Sequence, residues 1–200
     1  MIRRCGPGAG TDTSVALSLL RNGRQTERLP STWGLLMDFR NLAWLFVAGL
    51  ALHNLEEAIW LPAWSVNAAP WHPPVAPFQF GVAVVALTVA AAASVLLVRL
   101  GGRRSLGAYL VTGYALAMLL NVAFPHLLAT IALRSYMPGT ATAVLFNLPV
   151  TALLVRAAFR EGYVERRKLL WAGPLVVGGL MLAIPVLLAA GAEIERLLEA

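Results

Sequence analysis

His53, Glu56 and Glu57 place an imidazole and two carboxyl groups within five consecutive residues of an otherwise apolar stretch. On an α-helix, positions i, i+3 and i+4 lie on one face, so the three side chains point to the same side. Imidazole and carboxyl groups bind divalent metals, and they also act as general acids and bases. These three residues are therefore the first candidates for chemistry in the chain.

The segment that carries this motif is predicted to span a membrane. The apolar run 42–52 has only 11 residues, and at about 1.5 Å per residue it is too short to cross about 30 Å of hydrocarbon. It reaches spanning length only by continuing through the polar motif to Leu61. One acid in the middle of a span costs about 2.5–3.5 kcal/mol on insertion scales. Because the chain retains two such acids despite this cost, we predict that they have a functional role.

Later spans add three more polar residues, Asn121, His126 and Asn147. Pro125 has no N–H, so the carbonyl of Asn121 loses its helical partner and a kink is predicted there. Counting about 1.5 Å per residue from the span ends places the polar residues of all three spans about 17–30 Å from one membrane edge. We therefore expect a single site to which Asn121 and Asn147 contribute lining and His126 a reactive group.

Two kinds of chemistry fit the candidate catalytic residues His53, Glu56, Glu57 and His126. In the first, His53, Glu57 and His126 bind a divalent metal that activates water or polarises a substrate oxygen. In the second no metal is present; the carboxyls act as general acid and base while His53 relays protons. Glu57 lies about 40° from His53 around the helix and Glu56 about 60°, so we expect Glu57 to face the bundle axis and Glu56 to support it.

Three functions remain open for such a site. The first is a membrane-embedded enzyme acting on a lipophilic substrate. The second is a structural or partner-binding membrane subunit, in which the polar residues form a buried hydrogen-bonded network. The third is a small proton-coupled transporter, although the membrane region shows no inverted repeat and its five predicted spans give no symmetric halves.

Composition excludes several other classes. The chain is 58% hydrophobic and 13% charged, with a mean hydropathy of +0.70, far from the averages of soluble domains. Cys5 is the only cysteine, which excludes an intramolecular disulfide and a cysteine-based metal cage. The three histidines, His53, His72 and His126, are too few for a many-histidine di-iron site, and His72 is expected at the surface.

The apolar segments predict an all-α polytopic membrane protein with five transmembrane helices, at about 42–61, 78–99, 106–133, 141–158 and 171–190. Residues 1–40 are predicted to form a disordered cytoplasmic tail, and Met37 is an alternative start. Residues 41–191 form the predicted transmembrane domain and 192–200 an external tail. The connection 62–77 is rich in Pro and Trp, and it is expected to form a rigid cap from Pro62 onward.

Arg and Lys alternate between the two sides of the predicted bundle. Fourteen of the sixteen fall in the tail and in the second and fourth connections, whereas Arg134 and Arg196 fall on the other side. This bias predicts a cytoplasmic amino terminus and an external carboxyl terminus, in a multi-pass protein of the cell membrane. Membrane orientation thus accounts for the positive net charge, which therefore does not indicate nucleic-acid binding. We expect membrane lipids and a lipophilic small molecule as partners and no nucleic acid.

The motif His53-x-x-Glu56-Glu57, followed by Asn121-x-x-x-Pro125-His126, resembles the HXXEE family of integral membrane proteins, which is named after the first motif. The resemblance covers roughly residues 40–190. It implies an integral membrane protein in which these motif residues are important, and it does not indicate an activity.

Overall fold

The computed structural model describes residues 37–68 and 72–200, and this part of the chain forms helices and connections without a β-strand. Five helices are long and apolar enough to cross a membrane, which confirms the predicted all-α, five-helix membrane fold. They are α1 (Phe39–Ser65), α2 (Pro77–Gly101), α3 (Leu106–Leu133), α4 (Thr140–Arg160) and α5 (Arg166–Glu199).

Helix α1 is longer at both ends than predicted. The Asp38 carboxylate accepts a hydrogen bond from the Asn41 N–H at 2.7 Å, and this cap starts the helix at Phe39, inside the expected tail. At the other end the helix continues through Pro62 to Ser65. A proline in the last turn removes only one helical hydrogen bond, and the Ser65 hydroxyl donates to the Pro62 carbonyl at 2.8 Å. The expectation that Pro62 ends the helix was wrong.

Helix α5 has 34 residues and runs to Glu199, through most of the segment predicted as an external tail. No Gly or Pro follows Gly191, and the Ala, Glu, Leu and Arg residues there favour helix. Residues 1–36 and 69–71 lie outside the described residues. The disordered tail and the alternative start therefore stay predictions.

Helices α3 and α4 each contain a π-helical segment, Val122–Leu127 and Ala143–Asn147. The first contains Pro125, and Phe124 leaves the helical region with φ −139° and ψ 116°. The kink predicted from Pro125 is thus confirmed. Wider π turns interrupt the regular rotation of side chains, and such turns are frequent at functional sites. Both segments lie beside the polar motif of α1.

The apolar core has two parts, and the polar motif lies between them on α1. The larger cluster includes Phe39, Leu42, Phe46 and Leu50 of α1 together with residues of the other helices. The smaller cluster is formed by Leu61, Ala129 and Met137. His53 and Glu57 follow Leu50 and precede Leu61, so apolar packing closes the polar layer on both sides.

The connection between α3 and α4 turns into the bundle. Thr130 of α3 holds it, because its Oγ1 accepts a hydrogen bond from the Met137 N–H at 3.3 Å and lies 3.0 Å from Oγ1 of Thr140. Residues 137–140 are buried. Helix α4 therefore begins level with Glu56, well inside the end of α1, and its first residues lie beside the polar motif.

Candidate functional site

His53, Glu57 and His126 form a compact buried cluster where α1 meets α3. Nε2 of His126 lies 3.4 Å from Oε1 of Glu57, and Nε2 of His53 lies 3.8 Å from Oε2 of the same carboxyl. The two imidazole rings meet edge to face, with centroids 4.8 Å apart. Both histidines are almost fully buried, at 1% and 0% exposure. The Glu57 carboxyl thus bridges two imidazoles inside the bundle.

The orientation of the His53 ring is set by hydrogen bonds on both nitrogens. Nδ1 lies 3.2 Å from the carbonyl oxygen of Gly139 and 3.1 Å from Oγ1 of Thr142. Because a carbonyl only accepts, the ring proton belongs on Nδ1. Nε2 then carries the ring's lone pair, which accepts a hydrogen bond from the Asn121 amide at 3.3 Å and lies 3.8 Å from Oε2 of Glu57.

Gly139 packs its backbone directly on the cluster. A Cβ at this position would lie 2.6 Å from Cε1 of His126, 2.9 Å from Cε1 of His53 and 3.0 Å from Cγ of Glu57. Its φ of +89° is also in the left-handed region that favours glycine. Only glycine can bring the backbone this close to both rings.

Glu56 serves a different purpose from Glu57, since it caps the start of α4. Its carboxylate accepts hydrogen bonds from the Gly139 N–H at 3.0 Å, the Thr142 N–H at 3.2 Å and the Thr142 hydroxyl at 2.6 Å. Tyr136 donates a fourth. Burial and this hydrogen bond raise the pKa of the Tyr136 hydroxyl, which therefore stays a donor. Glu56 contacts the site through Gly139 and Thr142.

The two remaining amides lie outside the cluster. Asn54, the second residue of the motif, donates from Nδ2 to the Val84 carbonyl at 3.1 Å and to the Thr88 hydroxyl at 2.8 Å, and so ties α1 to α2. Asn147 is 1% exposed, and its amide has no hydrogen-bond partner among the described residues. It faces Gly49, one helical turn from His53, with Oδ1 3.1 Å from where a Cβ on Gly49 would be.

The cluster has the donor set of a divalent metal site. Ligand atoms of His53, Glu57 and His126 all lie within 4.8 Å of one another. A tetrahedral zinc ion with ligands at about 2.0–2.1 Å needs these atoms about 3.3 Å apart, so small side-chain movements would close the site. Neither ring nitrogen of the buried His126 has a well-aligned hydrogen-bond partner among the described residues. The Nδ1–H of His53 bonded to a backbone carbonyl is the usual support of a metal-ligating histidine.

A cavity of about 110 Å³ opens beside the cluster, between α1, α2, α3 and α5. His53, Asn54, Glu57 and Asn121 line one part of it, and most of the other lining side chains are apolar. The volume exceeds what single buried waters need. The polar groups of the site thus have access to a mostly apolar space, which is the usual arrangement of a small-molecule pocket.

The structure brings together His53, Glu57, His126 and Asn121 of the predicted residues. Glu56 lies beside them, whereas Asn147 does not contact the cluster. Sequence reasoning missed Gly139, Thr142 and Tyr136. The Pro138-Gly139 pair is a turn signal before a helix, but nothing in it shows that the turn reaches His53. His72 lies apart from the cluster, with its ring 6.2 Å from that of Trp64.

Comparison with known proteins agrees with the motif. The family described as "Protein of unknown function with HXXEE motif" matches residues 44–154. A protein of Bacillus subtilis (strain 168), described as "Uncharacterized protein YrkK", is 34% identical over 151 residues, which cover 75% of this chain and 95% of the relative. No solved structure matches the chain. The match spans His53, Glu56, Glu57 and His126, and the chain therefore belongs to the HXXEE family.

Proposed function

We propose that this protein is a membrane-embedded enzyme that acts on the polar end of a lipophilic molecule, in the cell membrane. Its reactive centre is the cluster of His53, Glu57 and His126. The observation that carries the proposal is that His53 and Glu57 belong both to this buried cluster and to the wall of an apolar cavity. A purely structural network would not need a cavity beside its ionisable groups.

The residues of the site have different roles. Asn121 and the Gly139 carbonyl hold the His53 ring with its lone pair on Nε2. The Glu57 carboxyl lies between the two imidazoles, 3.8 Å from Nε2 of His53 and 3.4 Å from Nε2 of His126, and it can exchange a proton or hold a metal there. Glu56, already engaged by four donors at the start of α4, supports the backbone around the site.

Metal-assisted chemistry is favoured over metal-free acid–base chemistry by the ligand geometry and by charge. His53, Glu57 and His126 would hold the ion, and when bound it would supply Lewis-acid polarisation of a substrate oxygen or activation of water. Two neighbouring carboxylates in a low dielectric repel each other strongly. A divalent cation balances both charges, whereas a proton on Glu57 balances only one.

Metal content tests the metal-assisted version. We expect the full chain, purified in detergent, to carry about one zinc or similar ion per molecule, measured by mass spectrometry of the elements. His53→Ala, Glu57→Gln and His126→Ala should each lose it. His72→Ala is the matched control, because it removes a histidine outside the cluster. Absence of any bound metal after zinc is added would leave acid–base chemistry as the remaining version.

The reaction itself is tested by comparing membrane lipids. A strain lacking the gene should accumulate a lipophilic substrate that disappears when the wild-type chain is restored, but not when Glu57→Gln is restored. The Glu57→Gln chain must be present in the membrane at the same level. An identical lipid profile in all strains would contradict an enzyme of membrane lipids and favour the structural or transport alternatives.

A further inference from the structure

We infer that the cavity takes an uncharged lipophile whose single polar end is a hydroxyl, and that this molecule enters from the bilayer past α5. The inference rests on the proposed function, because it names the substrate class of the same site. It is carried by the charge of the cavity wall and by the way α5 closes it.

Charge excludes anionic ligands. None of the described residues that line the cavity is Arg or Lys, whereas Glu57 lines it and Glu56 lies close behind. The charges of Glu56 and Glu57 already balance the divalent ion proposed above, so a phosphate or carboxylate headgroup would add an unpaired negative charge, which is costly to bury. An anionic phospholipid or a fatty acid therefore does not fit.

The polar end of the cavity matches a single small headgroup. The Asn54 amide nitrogen already donates to α2, and the Tyr114 hydroxyl donates to the Leu87 carbonyl at 3.0 Å. The groups left to meet a ligand are those of His53, Glu57 and Asn121. They lie at the cluster, with Nδ2 of Asn121 3.3 Å from Nε2 of His53. One hydroxyl satisfies this set, because it can donate to the Glu57 carboxylate and accept from the Asn121 amide. A larger polar headgroup would leave polar groups unpaired against the apolar walls.

Helix α5 forms the wall on the lipid side, and close approaches to α3 and to α2 flank the cavity. A Cβ on Gly113 of α3 would lie 2.7 Å from Cβ of Val176, and a Cβ on Gly191 would lie 2.8 Å from Cα of Gln79 in α2. Between these contacts Leu180, Met181, Ile184 and Leu188 line the cavity.

This stretch of wall is thin. Met181 lines the cavity and is also 51% exposed on the outer surface of the bundle, so a single layer of side chains separates the cavity from lipid. Pro185 removes one backbone hydrogen bond within the same stretch. Flexible methionine side chains adapt easily to a passing ligand, which makes this wall the route of entry.

Photolabelling in vesicles tests the inference. The full chain is placed in phosphatidylcholine vesicles with a short-chain alcohol that carries a photoreactive group and a small tag, because the cavity measures about 110 Å³. An acid and an alkane with the same chain and photoreactive group serve as comparison probes. We expect the alcohol to label residues of the cavity wall, mapped by peptide sequencing, about tenfold more than the acid or the alkane, since charge and hydrogen bonding both favour it.

Two pairs of variants make the result specific. Ala117→Phe fills the cavity from α3, and Leu120→Phe adds the same ring on the exposed face of that helix. Met181→Trp narrows the entry, whereas Leu182→Trp changes its exposed neighbour, which does not line the cavity. Labelling should fall about tenfold in Ala117→Phe and Met181→Trp and stay unchanged in both controls.

The outcomes separate this inference from the proposed function. His126→Ala should lose the metal and the reaction yet still be labelled, because His126 belongs to the cluster but does not line the cavity. Equal labelling by the acid, or labelling confined to the outer surface of the bundle, would overturn the substrate class while leaving a metal-binding result intact. If labelling follows the expected pattern but the protein binds no metal and changes no lipid, the proposed enzymatic function is contradicted and the inferred ligand class remains.

Discussion

The Gly139 carbonyl and the His53 imidazole form the contact on which the site depends. They are joined by a 3.2 Å hydrogen bond although 86 residues separate them in the chain. The bond places the ring proton on Nδ1 and leaves the lone pair on Nε2, 3.8 Å from Oε2 of Glu57. The connection between α3 and α4 is therefore part of the site.

Gly139→Ala should be among the most damaging single changes. The new Cβ would lie 2.6 Å from His126 and 2.9 Å from His53, at a φ of +89°. Strain and overpacking together should cost about 3 kcal/mol or more, seen as a large drop in melting temperature in detergent and loss of any bound metal. Gly162→Ala is the matched control. It has a φ of +71° with open space around it, so it should cost only about 1–2 kcal/mol. Equal effects would show that the rings are not in contact with Gly139.

Glu56→Gln should destabilise the protein by about 2–3 kcal/mol. The amide keeps the size of the carboxylate but removes its charge and turns one acceptor into a donor that faces a backbone N–H. Favourable interaction of the carboxylate with the start of α4 is also lost. Tyr136→Phe removes a single donor that is half exposed, so its cost should be about 1 kcal/mol or less. Thermal unfolding in detergent measures both, and a Glu56→Gln chain as stable as the wild type would contradict the capping role.

Asn147→Leu should leave the protein as stable as before or raise its stability by about 1 kcal/mol. The Asn147 amide is buried without a hydrogen-bond partner among the described residues, and an apolar side chain of similar size removes the cost of burying it. Asn121→Leu is the comparison, because Asn121 contacts His53 and its loss should impair the site. Melting temperatures and metal content distinguish the two variants. A clear loss of stability in Asn147→Leu would show that this amide binds a water or a ligand.

The topology inferred from the charge bias can be tested by cysteine accessibility. In a Cys5→Ser background, a cysteine at Val66 should react with an impermeant thiol reagent added to whole cells. A cysteine at Ser105 should react only after the membrane is opened. These two sites lie at opposite ends of the bundle, one after α1 and the other before α3. Reaction of Ser105→Cys from outside would reverse the predicted orientation.

Much of the fold follows from the sequence alone. Five apolar segments had to become membrane helices, because only helices satisfy their own backbone polar groups in lipid. The spacing of His53, Glu56 and Glu57 fixed a common face on α1, since an α-helix returns close to the same direction after three or four residues. Pro125 fixed the interruption of α3, because its missing N–H cannot continue the helix.

The ends of the helices were less predictable. Apolarity marks the part of a helix in lipid, but α1 and α5 continue beyond it, through Pro62 and to Glu199. A hydropathy pattern does not predict where a helix ends once it has left the lipid. Local capping and helix propensity decide that, as at Asp38.

Only the tertiary structure decided which polar residues meet. Depth counting placed Asn147 in the same layer as His53, but Asn147 faces Gly49, one helical turn away on the same face of α1. The count assumed the rise of a regular α-helix from a span end set by apolarity, and both the true helix end and the π turn Ala143–Asn147 shift it. Glu56 finds Gly139 and Thr142 across 83 and 86 residues of chain. Such contacts follow from how helices pack, and no local pattern encodes them.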